Sequence, residues 1–295
     1  MMADQALGAG ANHSSGMKRW NKRKVISNTF SYALMILIAL VMILPFLWTL
    51  STSLKGQNEA IYTMPPRFIP EQWTLGNYTT VWNSLPIPVY FWNSIILSFF
   101  GVALPLILAS LAAFPLARME FKGKQFVFLL IMATMMIPAE VTMIPIYLIL
   151  NKINLLGTLT GVIVPGAVSA YGIFLMRQGM LTVPKEIEES AVIDGAGVWR
   201  IWLNIMMPMV KPTLATLGIL SFIGAWNNFL WPFLVLDDSS KYPLTVGLYK
   251  LKGTFVSNTR LVAAGSMITL IPIAIVFISF QKYFIKGVNA GAVKG

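Results

Sequence analysis

The sequence predicts an all-α, polytopic membrane protein with six transmembrane helices and both termini in the cytoplasm, and three observations carry that prediction. Of 295 residues, 56% are hydrophobic and only 11% charged, with a mean hydropathy of +0.70, which is membrane composition. Six charge-poor runs reach the roughly 20 residues a helix needs to cross about 30 Å of hydrocarbon. They are continuously apolar, whereas barrel strands would alternate. Basic residues gather between alternate runs, and that asymmetry sets orientation.

Residues 1–25 read as a disordered basic tail, with small polar residues and no periodicity. It holds the single histidine, His13. Lys18, Arg19, Lys22, Arg23 and Lys24 precede the first span, Phe30–Leu50. That run is too long for a signal peptide and lacks a small-residue cleavage site, so it is expected to stay.

An external segment, 55–89, follows. Pro65-Pro66 and the Pro86, Pro88 pair exclude a long helix there. Trp73, Tyr78 and Trp82 suit the headgroup level, and the sharper reading of the segment is a docking surface for an external partner. The second span, Tyr90–Ala117, ends in Arg118, Lys122 and Lys124.

The third span, Phe126–Leu150, contains Glu140, the one full charge inside any span. A carboxylate in lipid costs about 3 kcal/mol unless it faces protein or water. It therefore either pairs with a polar neighbour, lies near the membrane edge, or lines a substrate pathway together with Tyr147. The fourth span is Leu155–Met176.

Between the fourth and fifth spans lies an interval of another kind, 178–211. Thr182-Val183-Pro184 offers a helix start, with Glu186, Glu188 and Glu189 near the positive end of the dipole. Gly195 and Gly197 should break that helix by permitting a left-handed turn. Val198, Ile201, Trp202 and Ile205 then recur at helical spacing up to Pro208. The expected product is a helix, a turn and a second helix, rooted between two spans.

The fifth span, Pro212–Leu236, carries the stretch AWNNFLWP. Amides donate to and accept from hydroxyls, and aromatic rings cover apolar sugar faces. Trp226, Asn227 and Asn228 are thus candidates for a substrate pathway, with Asn227 and Trp231 expected on one helix face; interface anchoring and helix joining are the plainer roles. The sixth span, Leu261–Phe280, is followed by Lys282, Lys286 and Lys294. Prolines inside the spans, such as Pro138, Pro165 and Pro272, mark kinks.

Of 22 basic residues, 15 fall on the side shared by the termini and 178–211, and seven on the other. The net charge of +11 is therefore an orientation signal rather than a nucleic-acid footprint. The chain has no cysteine, which excludes disulfides and thiolate metal sites. It has no G-x-x-x-x-G-K-[ST] loop, which excludes a P-loop ATPase of its own. A lone proton-coupled carrier using Glu140 is the alternative class.

The spacing Glu189-Ser190-Ala191, three residues, Gly195, nine residues, Ile205, one residue, Met207-Pro208 resembles the EAA signature of ABC importer permeases. Ser190 stands where Ala is usual and Met207 where Leu is. With Asp194-Gly195-Ala196, Asn77-Tyr78, Asn93-Ser94, Ile144-Pro145 and Trp226-Asn227-Asn228, the chain is similar to the sugar-uptake branch, including the smaller permease of the maltose transporter. The resemblance implies a type I importer permease fold over 26–295 in a bacterial or archaeal plasma membrane. It implies alternating access driven by partner subunits. It further implies a second homologous permease, two cytoplasmic ATPase subunits, an extracytoplasmic sugar-binding protein and membrane lipid as partners. No cofactor is expected on this chain, since ATP and Mg belong to the ATPases. Glu186, Glu189, Ser190, Ala191, Asp194, Gly195 and Ala196 would form the element that couples to them.

Overall fold

The computed structural model describes the backbone of residues 22–254 and 258–292 and the side chains of 28–251 and 258–280. Most of the expected N-terminal tail, and the side chains of Lys282, Lys286 and Lys294, lie outside the described residues. The chain divides into two compact units, Met1–Trp48 and Thr49–Gly295. The described part of the first is helix α1 (Lys22–Leu54) up to Trp48, an apolar rod entered through Lys22, Arg23 and Lys24.

Among the described residues the structure is helical, with one isolated bridge between Lys55 and Trp73. Asn28–Leu54, Ile87–Arg118 and Thr259–Phe280 are each long and apolar enough to cross a membrane. Three more spans are bent pairs, giving six if each pair counts once. Pro138 falls within one of the breaks and Pro165 just before another, as expected of kink positions. The third span is α4 (Lys124–Thr134) and α5 (Ala139–Lys152), meeting at 95°. Pro138 holds an extended ψ of 135° just before α5, and proline cannot continue the hydrogen-bond ladder of α4. The fourth is α6 (Leu159–Ile163) running through Val164–Gly166 to α7 (Ala170–Leu181), bent by 45°. Ser169 caps α7 by accepting from Gly172 N at 3.0 Å, which restarts the helix after Pro165.

The fifth run departs from expectation. Helix α11 (Lys211–Trp226) stops at Asn227, and α12 (Leu230–Val235) restarts after a three-residue break. Asn227 and Trp231 therefore do not share a helix face.

Helix α3 (Ile87–Arg118) is the central strut of the second unit. Its first turns pack into one buried cluster with Val81, Ile87, Tyr90, Leu97, Trp226, Leu244 and Leu261. Its last turns pack into another with Ala109, Ala113, Phe114, Met176, Met180 and Leu217. Small residues let neighbours come close: a Cβ on Gly101 would sit 2.6 Å from the Cβ of Ala225, as close helix packing in membranes requires.

The external segment is held by a satisfied buried amide. Asn77, in α2 (Gly76–Ser84), is fully buried. It donates to Ser53 O and Lys55 O at 2.9 Å and accepts from Gln57 Nε2 at 3.0 Å. The Tyr78 hydroxyl meets Ser53 Oγ at 2.7 Å. Trp73 and Trp82 remain exposed.

A helix unanticipated from the sequence, α13 (Leu244–Thr254), lies beside the first turns of α3. Asn93 Nδ2 donates to Ser240 O and Tyr242 O, and Ser94 Oγ accepts from Leu244 N at 2.8 Å. In the turn before it, the Ser240 hydroxyl and backbone N–H both donate to Asp238, holding that carboxyl below its usual range. The resemblance matched Asn93-Ser94 without a role; their role is to fix this helix.

Candidate functional site

The interval 178–211 forms the expected helix, turn and helix. Helix α8 (Lys185–Ile193) begins after Pro184, with Glu186 and Glu188 in its first turn, where carboxylates meet the helix's positive end. No side chain caps it. Thr182, expected to help start it, instead donates its hydroxyl to Gly179 O at 2.8 Å and finishes α7.

The helix ends through Gly195, at φ +77°. Gly195 N donates to Val192 O at 3.0 Å and Ala196 N to Ala191 O at 2.9 Å, the paired bonds of a Schellman close. Ala191 is buried and Ala196 packs against the same cluster, which supplies the apolar contact that accompanies this turn. The matched residues 191, 195 and 196 therefore build one rigid corner, with Asp194 as the C-cap residue. The Ser190 hydroxyl is turned back to Glu186 O at 2.7 Å, so it fits a helix position where alanine is usual.

Two details differ from expectation. Gly197 is extended, at φ −71° and ψ 163°, so only Gly195 uses the left-handed region. The second helical run, α9 (Val198–Arg200) through α10 (Met207–Met209), contains a π segment over Ile201–Met206. Its wider turn places Ile201, Met206 and Val210 inward, at steps of five and four. Val198, expected on that face, is exposed.

Inward, the corner joins the bundle. Ala191, Val183, Ile201, Met206 and Val210 belong to the buried cluster that also contains Ala113 and Phe114 of α3 and Met176 and Met180 of α7. Arg118, the last residue of α3, donates through Nη2 to Met180 O and Val183 O. Its Nε lies 3.7 Å from Glu188 Oε2, with the Arg118 side chain 3% exposed. Arg177 donates Nε to Leu116 O at 3.0 Å and sits 4.1 Å over the Phe128 ring, a cation–π contact. Sequence reading counted both arginines only as orientation charges. Nothing along the chain ties Arg118 to Glu188, because the fold alone brings them together.

Outward, the corner offers an apolar face. Ile193 is 85% and Trp199 71% exposed, with Val192, Val198 and Leu203 also open. Glu186 and Glu189 stand exposed on α8. This side of the corner is thus open, with exposed apolar side chains beside the carboxylates of Glu186 and Glu189.

The expected pathway residues are not gathered in one place. Glu140 is exposed in the first turn of α5, directly after the 95° bend. No hydrogen bond or ion pair holds it among the described residues. Tyr147 is exposed further along the same helix. Trp226 is a core residue: it is 3% exposed, donates Nε1 to Thr269 O and stacks on Phe222. Asn227 faces a cleft with Tyr249, Ser266 and Thr269. Asn228 opens instead into a cavity with Gly101, Gly166, Ser169, Ser221 and Gly224. That cavity sits where the fourth and fifth runs both break, and irregular backbone at membrane depth is tolerated where it lines such a space. Among the described residues no cluster of three His, Cys, Asp or Glu side chains could hold a metal.

Residues 105–290 match the family model described as binding-protein-dependent transport system inner membrane component. The chain is 37% identical over 260 residues to the arabinooligosaccharides transport system permease protein AraQ of Halalkalibacterium halodurans, covering 88% of this chain and 93% of that one. It is 31% identical over 268 residues to the diacetylchitobiose uptake system permease protein NgcG of Streptomyces coelicolor, covering 90% and 88%. Its structure is similar to a chain in the crystal structure of a bacterial ABC transporter involved in the import of the acidic polysaccharide alginate. The TM-score is 0.76 at 27% identity, covering 90% of this chain and 99% of that one.

Proposed function

Because the chain belongs to the family of binding-protein-dependent transport system inner membrane components, a multi-pass permease subunit of an ABC importer, we propose that it moves a sugar or oligosaccharide into the cytoplasm and that α8 receives the driving motion. The observation that carries the second part is the corner at 191–196. It is rigid by its own hydrogen bonds, buried on one side against α3 and α7, and apolar and open on the other. A separate ATPase can bias membrane helices only through a contact that differs between two states, and this corner is built to be such a contact. Glu186, Glu189, Ser190, Ala191, Asp194, Gly195 and Ala196 constitute it.

The remaining machine follows from the same reading. A second homologous permease completes the pathway, two cytoplasmic ATPase subunits hold ATP and Mg, and an extracytoplasmic binding protein delivers the solute. The termini and 178–211 face the cytoplasm, consistent with the basic residues on that side. Alternating access uses as its joints the bends at 134–139 and 166–170 and the 78° bend between Val198–Met209 and Lys211–Trp226. The cavity at Asn228, Ser169 and Ser221 offers hydroxyl and amide partners for a passing sugar, which supports carbohydrate over an apolar solute.

Proteoliposomes holding this chain, its partner permease and both ATPases test the reading. Import of arabinooligosaccharide or diacetylchitobiose should require ATP on the ATPase side and the binding protein on the other. Import by this chain alone, driven by a pH gradient and indifferent to ATP, would establish the carrier reading instead.

A further inference from the structure

Resting on the coupling role of α8, we propose that Arg118 is the positioning residue that joins α8 to α3 and so conveys the motion of the corner to the opposite end of the bundle. Its guanidinium ties the end of α3 to the segment that runs from α7 into α8. It terminates α3, it donates to the carbonyls of Met180 and Val183 at the end of α7 and the approach to α8, and it faces Glu188 in the first turn of α8. The Arg118 side chain is 3% exposed and that of Glu188 22%, so the guanidinium itself is shielded from water. A planar fork holds two carbonyls from Nη2 while Nε faces a carboxylate; an ammonium carries its three donors on one nitrogen and does not reproduce that separation.

The informative atom is Nε. It is buried without a hydrogen-bond partner, and Glu188 Oε2 stands 3.7 Å away, beyond hydrogen-bond reach. A displacement of α8 toward α3 by less than about 1 Å would turn this loose ion pair into a charge-assisted hydrogen bond. The contact thus has two strengths for two positions of α8, as a coupling element requires.

Helix α3 supplies the rest of the route. It runs unbroken from Ile87 to Arg118, and the 24 residues from Ser94 to Arg118 span about 36 Å at helical rise. At its far end Asn93 and Ser94 hold the chain entering α13. A shift at Glu188 is therefore delivered across the membrane to the α12–α13 connection.

The test uses the complete reconstituted complex and reads solute imported per ATP hydrolysed. Glu188→Gln and Arg118→Lys are each expected to assemble with the ATPases and to lower that ratio about tenfold, the lysine failing to rescue because it lacks the fork. An assembled variant with the wild-type ratio overturns the proposal. Should Arg118→Lys fail to assemble, Glu188→Gln, which leaves Arg118 and its bonds to Met180 O and Val183 O in place, carries the test alone, and its wild-type ratio overturns the proposal. A wild-type complex with no ATP-dependent import would overturn the reading of α8 itself, a failure distinct from either of these.

Discussion

Gly195 holds a left-handed backbone at the end of α8, yet a Cβ placed there would meet nothing within 4 Å. Substitution therefore acts through the backbone alone, at roughly 1–2 kcal/mol for an L-residue in that region. Gly195→Val, β-branched, should be worse than Gly195→Ala. Both should insert normally, and ATPase recovered by affinity purification in mild detergent should fall for alanine and fall further for valine. Full recovery with valine would remove the corner from the coupling mechanism. At this scale the sequence was informative where chemistry is local. The position of Gly195 was readable because a turn after a helix demands a left-handed residue; spacing singled out Ala191 for coupling, but its burial against α3 and α7 is set by the fold. Arg118 was not readable, since its partners lie 62 to 70 residues away and only packing unites them. Glu140 was placed within the third span because the run around it is apolar; that it opens a new helix after the bend at Pro138 was not legible.

The same contrast holds for elements. Long apolar runs announced α1, α3 and α14 (Thr259–Ala292), because hydropathy over 20 residues is a strong signal. The bends inside the third and fourth runs lie at Pro138 and beside Pro165, which composition flags, but bend angles depend on packing. Helix α13 escaped notice for a physical reason: it is only 11 residues, too short to span, and sits between stronger signals. Pro243 before it and the Leu244, Leu248, Leu251 spacing were the available cues. Its packing makes a sharp prediction. A Cβ on Gly247 would come within 2.1 Å of the Tyr90 ring, and Tyr90 is buried, so it cannot simply swing away. Gly247→Ala should cost about 1–3 kcal/mol by overpacking and lower the thermal midpoint in detergent. A midpoint equal to wild type would mean α13 rides loosely on α3.

For the whole molecule, the account is that motion enters at one end and is used at the other. The two buried clusters along α3, the Arg118 clamp at one end and the Asn93-Ser94 clamp at the other make that helix the connecting part. Orientation follows from the distribution of lysine and arginine rather than from any one contact. The absence of cysteine makes the arrangement open to direct chemistry, since any introduced thiol is unique. The decisive measurement is cross-linking from Ile193→Cys, a residue 85% exposed at the corner, in membranes containing the assembled importer. The account predicts that a short thiol-directed cross-linker on the cytoplasmic side joins position 193 to the subunit that also takes up a photoreactive ATP analogue. Labelling of the same cysteine by a membrane-impermeant maleimide applied outside intact cells, with no adduct to an ATP-binding subunit, would contradict it.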